Sequence, residues 1–338
     1  MDFPIGALLS EFLEMVRSPR NTGAIFCERA RNLVRSLTIF CSSSTAKNSG
    51  VIMIFSMKSL IIVFFLLLTV NFRAWSFEVR LSTTAPTQGD TLAVEVRGAK
   101  QGSKYSCWFN AREYPVYPIE GGSLRTLIGL PYDFVPGRYA VLIVEKGREK
   151  KKTRKYKLLT VNRKIFPVSY VNFIPEKWKL IGSPLNKRER DLIAGALKVE
   201  KEKQNWERNF ILPVEGKIVG KYGVKRIAGG EFLWSHKGID LKVPEGTPVR
   251  AGNSGEIILA EEGFYLHGKT VTIDHGQGVT TIYLHLRSIN IRKRDKVTKG
   301  QIIGSVGETG LATGPHLHWG LYVHGVPVDP IQWVDREY

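Results

Sequence analysis

Alternating apolar and polar positions dominate residues 77–161 and predict short β-strands. Leu92, Val94 and Val96 alternate with polar neighbours, as expected of a strand with one buried face. Further apolar or alternating runs follow and are separated by turns rich in glycine and proline. A series of roughly six short strands over this length predicts a small β-sandwich of immunoglobulin-like type.

Residues 162–208 predict a linker that contains one charged helix. Prolines interrupt the first half of this stretch, whereas the second half has a helical pattern. Asn186 is followed three residues later by Glu189, which predicts a capping box at the helix start. The helix is expected to run from Lys187 to about Asn205.

The rest of the chain again predicts strands, now interspersed with glycine. Two apolar runs, 271–275 and 280–286, are joined by a short glycine-rich stretch and predict a pair of neighbouring strands. Side chains alternate between the two faces of a strand. Period two therefore predicts His285 on the same face as Tyr283, with Leu286 on the opposite face.

Histidine is concentrated in this last region, since all seven histidines lie beyond residue 235. His316 and His318 are two residues apart and are expected to share one face of a strand. His236 and Asp240 flank Gly238, which favours a loop leading into a strand over a helix. Imidazole and carboxylate groups are zinc ligands, and a catalytic zinc site keeps three protein ligands with one position open.

Four short segments resemble, in order, the signature of the LytM/lysostaphin-type (M23) peptidases. They are His236-Lys-Gly-Ile-Asp240, Tyr283-Leu-His285-Leu286, Gly314-Pro-His316-Leu-His318 and Val328-Asp-Pro330. The resemblance runs from roughly Pro213 to Trp333. It implies that His236, Asp240 and His318 hold one Zn²⁺ per chain. It also implies that His285 and His316 are the catalytic histidines.

The resemblance implies a zinc metalloendopeptidase that hydrolyses peptide cross-links of bacterial peptidoglycan, in cell wall remodelling or lysis. The bond cut, either a glycine bridge or the D-alanyl to diamino-acid cross-link, stays open. One alternative is a catalytically silent LytM-type regulator that activates other wall hydrolases. Another is a wall-binding protein dominated by its β-sandwich. The intact ligand set favours the enzyme, with no organic cofactor.

Other candidate residues are expected to be structural or exposed. His267 and His324 each precede a glycine and are expected in exposed turns. His275 and Asp329 are expected to support the fold. Cys107 follows the apolar segment described below without another cysteine, so it is expected to be an inert buried thiol.

The net charge of +18 changes the expected partners. Residues 77–338 contain 41 basic and 27 acidic side chains, and such a surplus favours polyanionic partners. RNP, helix-turn-helix and zinc-finger patterns are absent from the sequence, so nucleic acid is not expected. The predicted partner is the acidic polymer of the cell envelope, peptidoglycan, bound by a monomer.

An apolar run of eleven residues, Leu60–Val70, is too short to cross a bilayer and matches the core of a secretory signal. Cleavage is predicted between Ser76 and Phe77, with an uncleaved membrane anchor as the alternative. The protein is thus expected to be exported to the periplasm or outside the cell and to associate with the envelope. Membrane contact is expected through the signal segment alone.

The expected fold is mainly β, with an amino-terminal immunoglobulin-like sandwich and a carboxy-terminal antiparallel sheet of the LytM type. The expected organisation comprises an upstream extension (1–56), a signal peptide (57–76), an all-β domain (77–161), a linker with a charged helix (162–208) and a zinc peptidase domain (209–338).

Overall fold

The computed structural model describes residues 77–146, 152–171 and 185–338. The upstream extension and the signal peptide expected from the sequence lie outside these residues. In the described part of the chain, no helix has the length and apolar character needed to cross a membrane. Strands predominate and pair mainly antiparallel, which confirms the mainly β prediction.

The first strands of the described chain lie in its amino-terminal half. They are β1 (Glu78–Leu81), β2 (Thr91–Arg97), β3 (Lys104–Phe109), β4 (Arg112–Pro115), β5 (Tyr117–Pro118), β6 (Leu124–Gly129), β7 (Gly137–Lys146), β8 (Lys152–Val161) and β9 (Val168–Tyr170). Helix α1 (Leu185–Ala196) follows.

The later strands belong to the carboxy-terminal half, which ends in the short helix α2 (Ile331–Asp335). They are β10 (Lys217–Gly220), β11 (Lys225–Ala228), β12 (Glu231–Ser235), β13 (Ile239–Lys242), β14 (Pro248–Arg250), β15 (Gly255–Glu261), β16 (Lys269–Gly276), β17 (Val279–Ile289), β18 (Lys296–Val297), β19 (Ile302–Val306), β20 (Leu317–Val323) and β21 (Val326–Val328).

Two four-stranded antiparallel sheets, in the orders β1-β2-β6-β5 and β4-β3-β7-β8, form the amino-terminal half. Alternate side chains of both sheets enter one buried core, as period two predicts. The core includes Val94 of β2, Cys107 of β3 and Ile143 of β7. Burial raises the pKa of the Cys107 thiol to about 12, so this cysteine is protonated and buried as expected. The immunoglobulin-like type of the sandwich stays a prediction.

A large antiparallel sheet, in the order β10-β13-β20-β17-β16-β15-β18, forms the centre of the carboxy-terminal half. Strand β19 pairs with β14 and β17, and β21 pairs with β20. Strands β17 and β20 are buried along most of their length. Leu317, Trp319 and Leu321 of β20 enter the main core. His318 lies between Leu317 and Trp319 and is therefore on the other face of the strand.

A third, small sheet in the order β9-β11-β12 borders the large one. Strand β9 comes from the chain before α1 and pairs in parallel with β11. In this register Ser169 lies beside Arg226, and Arg226 lies beside Trp234 of β12. Part of the expected linker is therefore a strand.

Helix α1 ends at Ala196, earlier than the predicted end near Asn205. The backbone beyond it hydrogen-bonds to the turn between β16 and β17. The amide of Gln277 donates to the carbonyl of Lys201, and the amide of Asn205 donates to the carbonyl of His275. These long-range bonds replace the bonds that a longer helix would make, so tertiary contacts override the helical propensity.

The two halves of the molecule share buried contacts. Trp206 is 3% exposed and belongs to the main core together with Leu127 of β6. The guanidinium of Arg125 lies 5.1 Å from the centre of the Trp206 ring and donates to Gln277 at 2.7 Å. The indole of Trp333 donates to the hydroxyl of Thr91 at 2.9 Å.

Replacing Trp206 with alanine is expected to lower the free energy of unfolding by about 3–5 kcal/mol, because it opens a cavity between the two halves. Equilibrium denaturation by urea would measure this loss. Trp108→Ala is the matched control, since it removes a tryptophan that is 39% exposed and should cost less than about 1 kcal/mol. Equal losses for the two variants would contradict the assignment of Trp206 to the core.

Candidate functional site

Three side chains converge on one point at the edge of strands β13 and β20. His236 Nε2 lies 2.8 Å from Asp240 Oδ1 and 2.9 Å from His318 Nδ1, and His318 Nδ1 lies 3.0 Å from Asp240 Oδ1. All three residues are buried. These are the three side chains expected to hold a metal, and their facing atoms form a group that could hold one ion.

Strand register explains how residues distant in sequence meet there. Asp240 of β13 is the direct partner of His318 on β20, and directly opposed side chains lie on the same face of a sheet. Gly220 is the partner of Asp240 on the other side. A Cβ at position 220 would lie 2.2 Å from Asp240 Oδ2, so a glycine is needed for the carboxylate to turn inward.

Hydrogen bonds outside the cluster orient each of its members. His236 Nδ1 donates to the Lys221 carbonyl at 2.9 Å, which turns Nε2 to the cluster. Arg226 Nη2 donates to Asp240 Oδ2 at 2.8 Å, which leaves Oδ1 facing the histidines. Such outer partners typically fix the orientation of metal ligands.

The donor set fits a zinc ion. Two imidazole nitrogens and one carboxylate oxygen, all within about 3 Å of one another, are the atom types of a three-ligand catalytic zinc site. Their lone pairs face each other, and a cation between them satisfies all three. The fit rests on this convergence of His236, Asp240 and His318.

His285 reaches the site by a departure from regular strand geometry. Leu284 is the partner of His318 and Tyr283 the partner of Trp319, so regular alternation would place His285 on the core face with Tyr283. The backbone of His285 has a φ of +63°, a left-handed conformation that is uncommon for residues other than glycine.

This conformation reverses the alternation of side chains after Leu284. The His285 ring centre lies 5.0 Å from that of His316 and 6.4 Å from that of His318, on the site face. Leu286 instead joins the main core with Tyr283. The predicted faces of His285 and Leu286 were therefore wrong, because period two holds only where the backbone stays extended.

His285 and His316 present the same ring nitrogen to the site. His285 Nδ1 donates to the Thr309 carbonyl at 2.8 Å, and His316 Nδ1 donates to the Gly314 carbonyl at 2.8 Å. In each ring the backbone carbonyl engages Nδ1, which leaves Nε2 for the site. His316 Nε2 lies 3.9 Å from Asp240 Oδ1, outside the tight cluster. The structure thus brings all five predicted site residues together.

Burial lowers the pKa of two of the site histidines, His285 and His318. It lowers the pKa of His285 well below its ordinary value, and the neighbouring His316 and His318 add to the effect. Burial also lowers the pKa of His318 to about 4. For Asp240, burial alone raises the pKa, but the contacts with His236 and His318 outweigh it and hold the pKa well below its ordinary value, so the carboxyl is ionised.

Helix α1 supports His285 from outside the strand. The carboxylate of Glu189 accepts hydrogen bonds from the backbone amides of Tyr265 and Leu266 and from His267 Nδ1 at 3.0 Å. The carbonyl of His267 in turn accepts the amide of His285 at 3.2 Å. Glu189 therefore holds the loop beside His285, where the sequence predicted a capping residue.

The remaining candidates lie outside the cluster. His275 is fully buried and bonds to Ser254 and Thr281, and the Asp329 carboxylate accepts the amide of Ile331 at 3.2 Å at the start of α2. Both are structural, as predicted.

The predicted exposure of two histidines was wrong. His324 is 2% exposed, because the β20–β21 hairpin that contains it packs against Tyr114 of β4. The Nδ1 atom of His324 also lies 2.7 Å from the carboxylate of Glu200. His267 is half-buried beneath α1. A glycine after a histidine indicates a turn but does not show what the turn packs against.

Sequence patterns did not point to the outer partners of the cluster. Arg226 Nη1 donates to Ser169 Oγ at 3.3 Å while Nη2 holds Asp240. Ser169 lies on β9, in the expected linker. A charged or hydroxyl residue in a short strand does not by itself indicate a role at a site. The roles of Arg226 and Ser169 become visible only from the pairing of their strands.

Replacing Arg226 with glutamine is expected to weaken zinc binding about 10–100-fold, because the Asp240 carboxylate loses the charged partner that orients it. Competition with a chromophoric chelator would measure the affinity. Lys225→Gln, at the adjacent exposed position, removes the same charge and should leave the affinity unchanged. Wild-type affinity in Arg226→Gln would show that Asp240 is held without Arg226.

Comparison with known proteins agrees with this geometry. Residues 234–330 match peptidase family M23. The peptidoglycan DD-endopeptidase ShyA of Vibrio cholerae serotype O1 is 43% identical over 97 residues, or 29% of this chain and 22% of that protein. The DD-carboxypeptidase/endopeptidase Mpg of Neisseria meningitidis serogroup B is 44% identical over 97 residues, or 28% of this chain and 22% of that protein. The matches thus span about a fifth of these relatives.

A solved structure is similar over a longer stretch. The crystal structure of a putative peptidase M23 from Pseudomonas aeruginosa has a TM-score of 0.56 and 26% identity, and the similarity covers 74% of this chain and 94% of that one. The likeness therefore extends beyond the matched residues. The residues that match peptidase family M23, 234–330, include all five predicted site residues.

Proposed function

We propose that this protein is a zinc-dependent endopeptidase that hydrolyses peptide cross-links of bacterial peptidoglycan. The observation that carries the proposal is the convergence of His236 Nε2, Asp240 Oδ1 and His318 Nδ1 within about 3 Å. The family match and the names of the two relatives support a peptidoglycan hydrolase. The proposed place of action is the cell envelope, after export.

The three clustered residues would hold the zinc ion. In such sites zinc supplies Lewis acidity towards a carbonyl oxygen and activates a water molecule. Asp240, held by Arg226, would supply the negative charge, and His236 Nε2 and His318 Nδ1 would supply the nitrogen ligands. Three protein ligands would leave one position open, and His285 and His316 lie beside the three ligand residues.

His285 and His316 are proposed to move protons during hydrolysis. In each ring Nδ1 donates its hydrogen to a backbone carbonyl. Nε2 is therefore the nitrogen that can accept a proton from the substrate side. One histidine takes a proton from the attacking water, and a protonated ring returns one to the leaving amine. General acid–base catalysis of this kind typically contributes 10²- to 10⁴-fold in rate.

The bond cut is proposed to be a peptide cross-link, and the two classes of cross-link need separate tests. Purified sacculi containing D-alanyl to diamino-acid links, and others containing glycine bridges, would be digested and the released muropeptides identified by mass spectrometry. Chelation is expected to abolish release and added zinc to restore it. Release that persists under strong chelation, in protein free of zinc by elemental analysis, would disprove the proposal.

A silent regulator or a wall-binding protein without activity would bind sacculi and release nothing. The complete set of five site residues favours the enzyme over both. The same digestion separates the three functions, because it reports release and binding from one sample.

A further inference from the structure

The outer face of the sheet β4-β3-β7-β8 exposes large apolar side chains. Trp108, Tyr156 and Leu158 are 39%, 69% and 68% exposed. Their sequence neighbours Cys107 and Leu159 point into the sandwich core, so alternation turns these three residues outward. Single exposed apolar residues are ordinary on a protein surface, but a contiguous group of them marks an interaction site.

The aromatic residues form a row across the sheet. Trp108 pairs with Leu142, and Leu142 pairs with Tyr156. Adjacent strands lie about 4.8 Å apart, so the two rings are attached to the backbone about 9.6 Å apart, on a surface formed by three strands. This spacing suits two alternate sugar rings of an extended polysaccharide, one disaccharide repeat apart.

Basic side chains lie on both sides of this row along the strands, while the acidic Glu113 pairs with Trp108 at one end of the row. The next row along the strands pairs Ser106 with Val144 and Val144 with Arg154. Lys146 and Arg154 help to line a depression of about 390 Å³ on this face, beside Trp108 and Leu142. The same face exposes further charged positions, namely the basic residues Lys104 and Arg138 and the acidic residue Glu113.

We propose that this face binds the glycan strands of peptidoglycan. One side of a pyranose ring presents C–H groups and packs on an aromatic ring. The carboxylates of the peptide stems complement Lys146 and Arg154. Charge and aromatic rings together also suit nucleic acid, so the choice of polymer rests on the proposed function. We name this surface, centred on Trp108, Tyr156, Lys146 and Arg154, the aromatic–basic face.

The aromatic–basic face is held firmly to the catalytic half. Strand β4 of the same sheet contacts the β20–β21 hairpin, where Arg112 Nη2 donates to the His324 carbonyl at 3.1 Å. The ring of Tyr114 meets that of His324 edge-on at 5.6 Å. Because β20 also supplies His318, a glycan bound on this face is held at a defined position relative to the site.

The test compares full-length Trp108→Ala/Tyr156→Ala with the wild-type protein in co-sedimentation with purified sacculi. Chelator is present so that the polymer is not cut. Binding is expected to weaken by about tenfold or more, since centrally placed aromatic residues dominate such surfaces. Peptide-free glycan strands, compared by affinity electrophoresis, should show the same loss. Tyr170→Ala is the matched control, because it removes a tyrosine that is 77% exposed on the small sheet.

A second pair of variants tests charge. Lys146→Gln is expected to weaken sacculus binding and reduce its salt dependence, whereas Lys217→Gln, at an exposed position on β10, should leave both unchanged. Anionic lipid vesicles and double-stranded DNA serve as competing polyanions. Unchanged sacculus binding in the double aromatic variant would overturn the inference. A loss of binding in that variant that affects only the lipid vesicles or the DNA would also overturn the inference.

Failure of the proposed function would be distinguishable. Turnover of a short soluble cross-linked peptide depends on the site and should be equal in the wild-type protein and the double aromatic variant. Absent turnover with glycan binding that still depends on Trp108 and Tyr156 would disprove the enzyme and leave the binding face standing. Normal turnover, together with sacculus binding that is unaltered in the double aromatic variant, would support the enzyme and disprove the binding face.

Discussion

His318→Ala is expected to lose zinc and hydrolytic activity together, and Asp240→Ala and His236→Ala should do the same. Apparent zinc binding energies of roughly 10–16 kcal/mol for four-ligand sites correspond to about 3 kcal/mol per ligand. Removing one ligand therefore weakens binding by a factor on the order of a hundred. Elemental analysis after dialysis would measure the stoichiometry, and competition with a chelator would measure the affinity.

His324→Ala provides the control for this series. It removes a buried histidine that bonds to Glu200, on the hairpin that packs against the sandwich, and one zinc per chain should remain. Circular dichroism would verify that each variant is folded. A folded His318→Ala protein that keeps stoichiometric zinc at wild-type affinity would contradict the proposed ligand set.

His285→Ala and His316→Ala are expected to keep zinc while losing activity by about 10²- to 10⁴-fold, the usual contribution of a general acid or base. The Nε2 atoms of both histidines lie next to the cluster of His236, Asp240 and His318 but do not belong to it. His316 Nε2 is 3.9 Å from Asp240 Oδ1. The measurement is turnover of a soluble cross-linked peptide together with the zinc content of the same sample.

The separation between zinc content and turnover is what tests the roles of these two histidines. An empty site in His316→Ala would make that residue a ligand. Full turnover in His285→Ala would remove it from proton transfer. His285→Gln adds a further comparison, because glutamine keeps polarity at this position without a titratable nitrogen.

Strands were predictable from alternation, because their inner faces are buried in a core. Leu92, Val94 and Val96 are all fully buried on β2, as their spacing predicts. The end of α1 was not predictable, since residues 197–205 have a helical and charged composition. The backbone groups of Lys201 and Asn205 hydrogen-bond instead to the distant turn at 275–277. Local helical propensity contains no information about such distant partners.

The side chains of the site were predictable, and their orientation was not. The resemblance to the M23 peptidases implied a zinc site at His236, Asp240 and His318, and their residue types are those of zinc ligands. The face of His285 depends on a φ of +63°, a conformation that the sequence around a non-glycine residue does not indicate. The surrounding hydrogen bonds, to Thr309 and His267, hold it there.

The sequence by itself determined the mainly β architecture, because alternation is a local property of the chain, and its resemblance to the M23 peptidases indicated the five residues that meet in the structure. The tertiary structure alone decided which partners hold those residues. Arg226, Ser169 and Glu189 reach the site or its surroundings through strand pairing and helix docking. The burial of His324 likewise depends on the sandwich that covers it. Contacts between segments far apart in the chain leave no pattern in either segment.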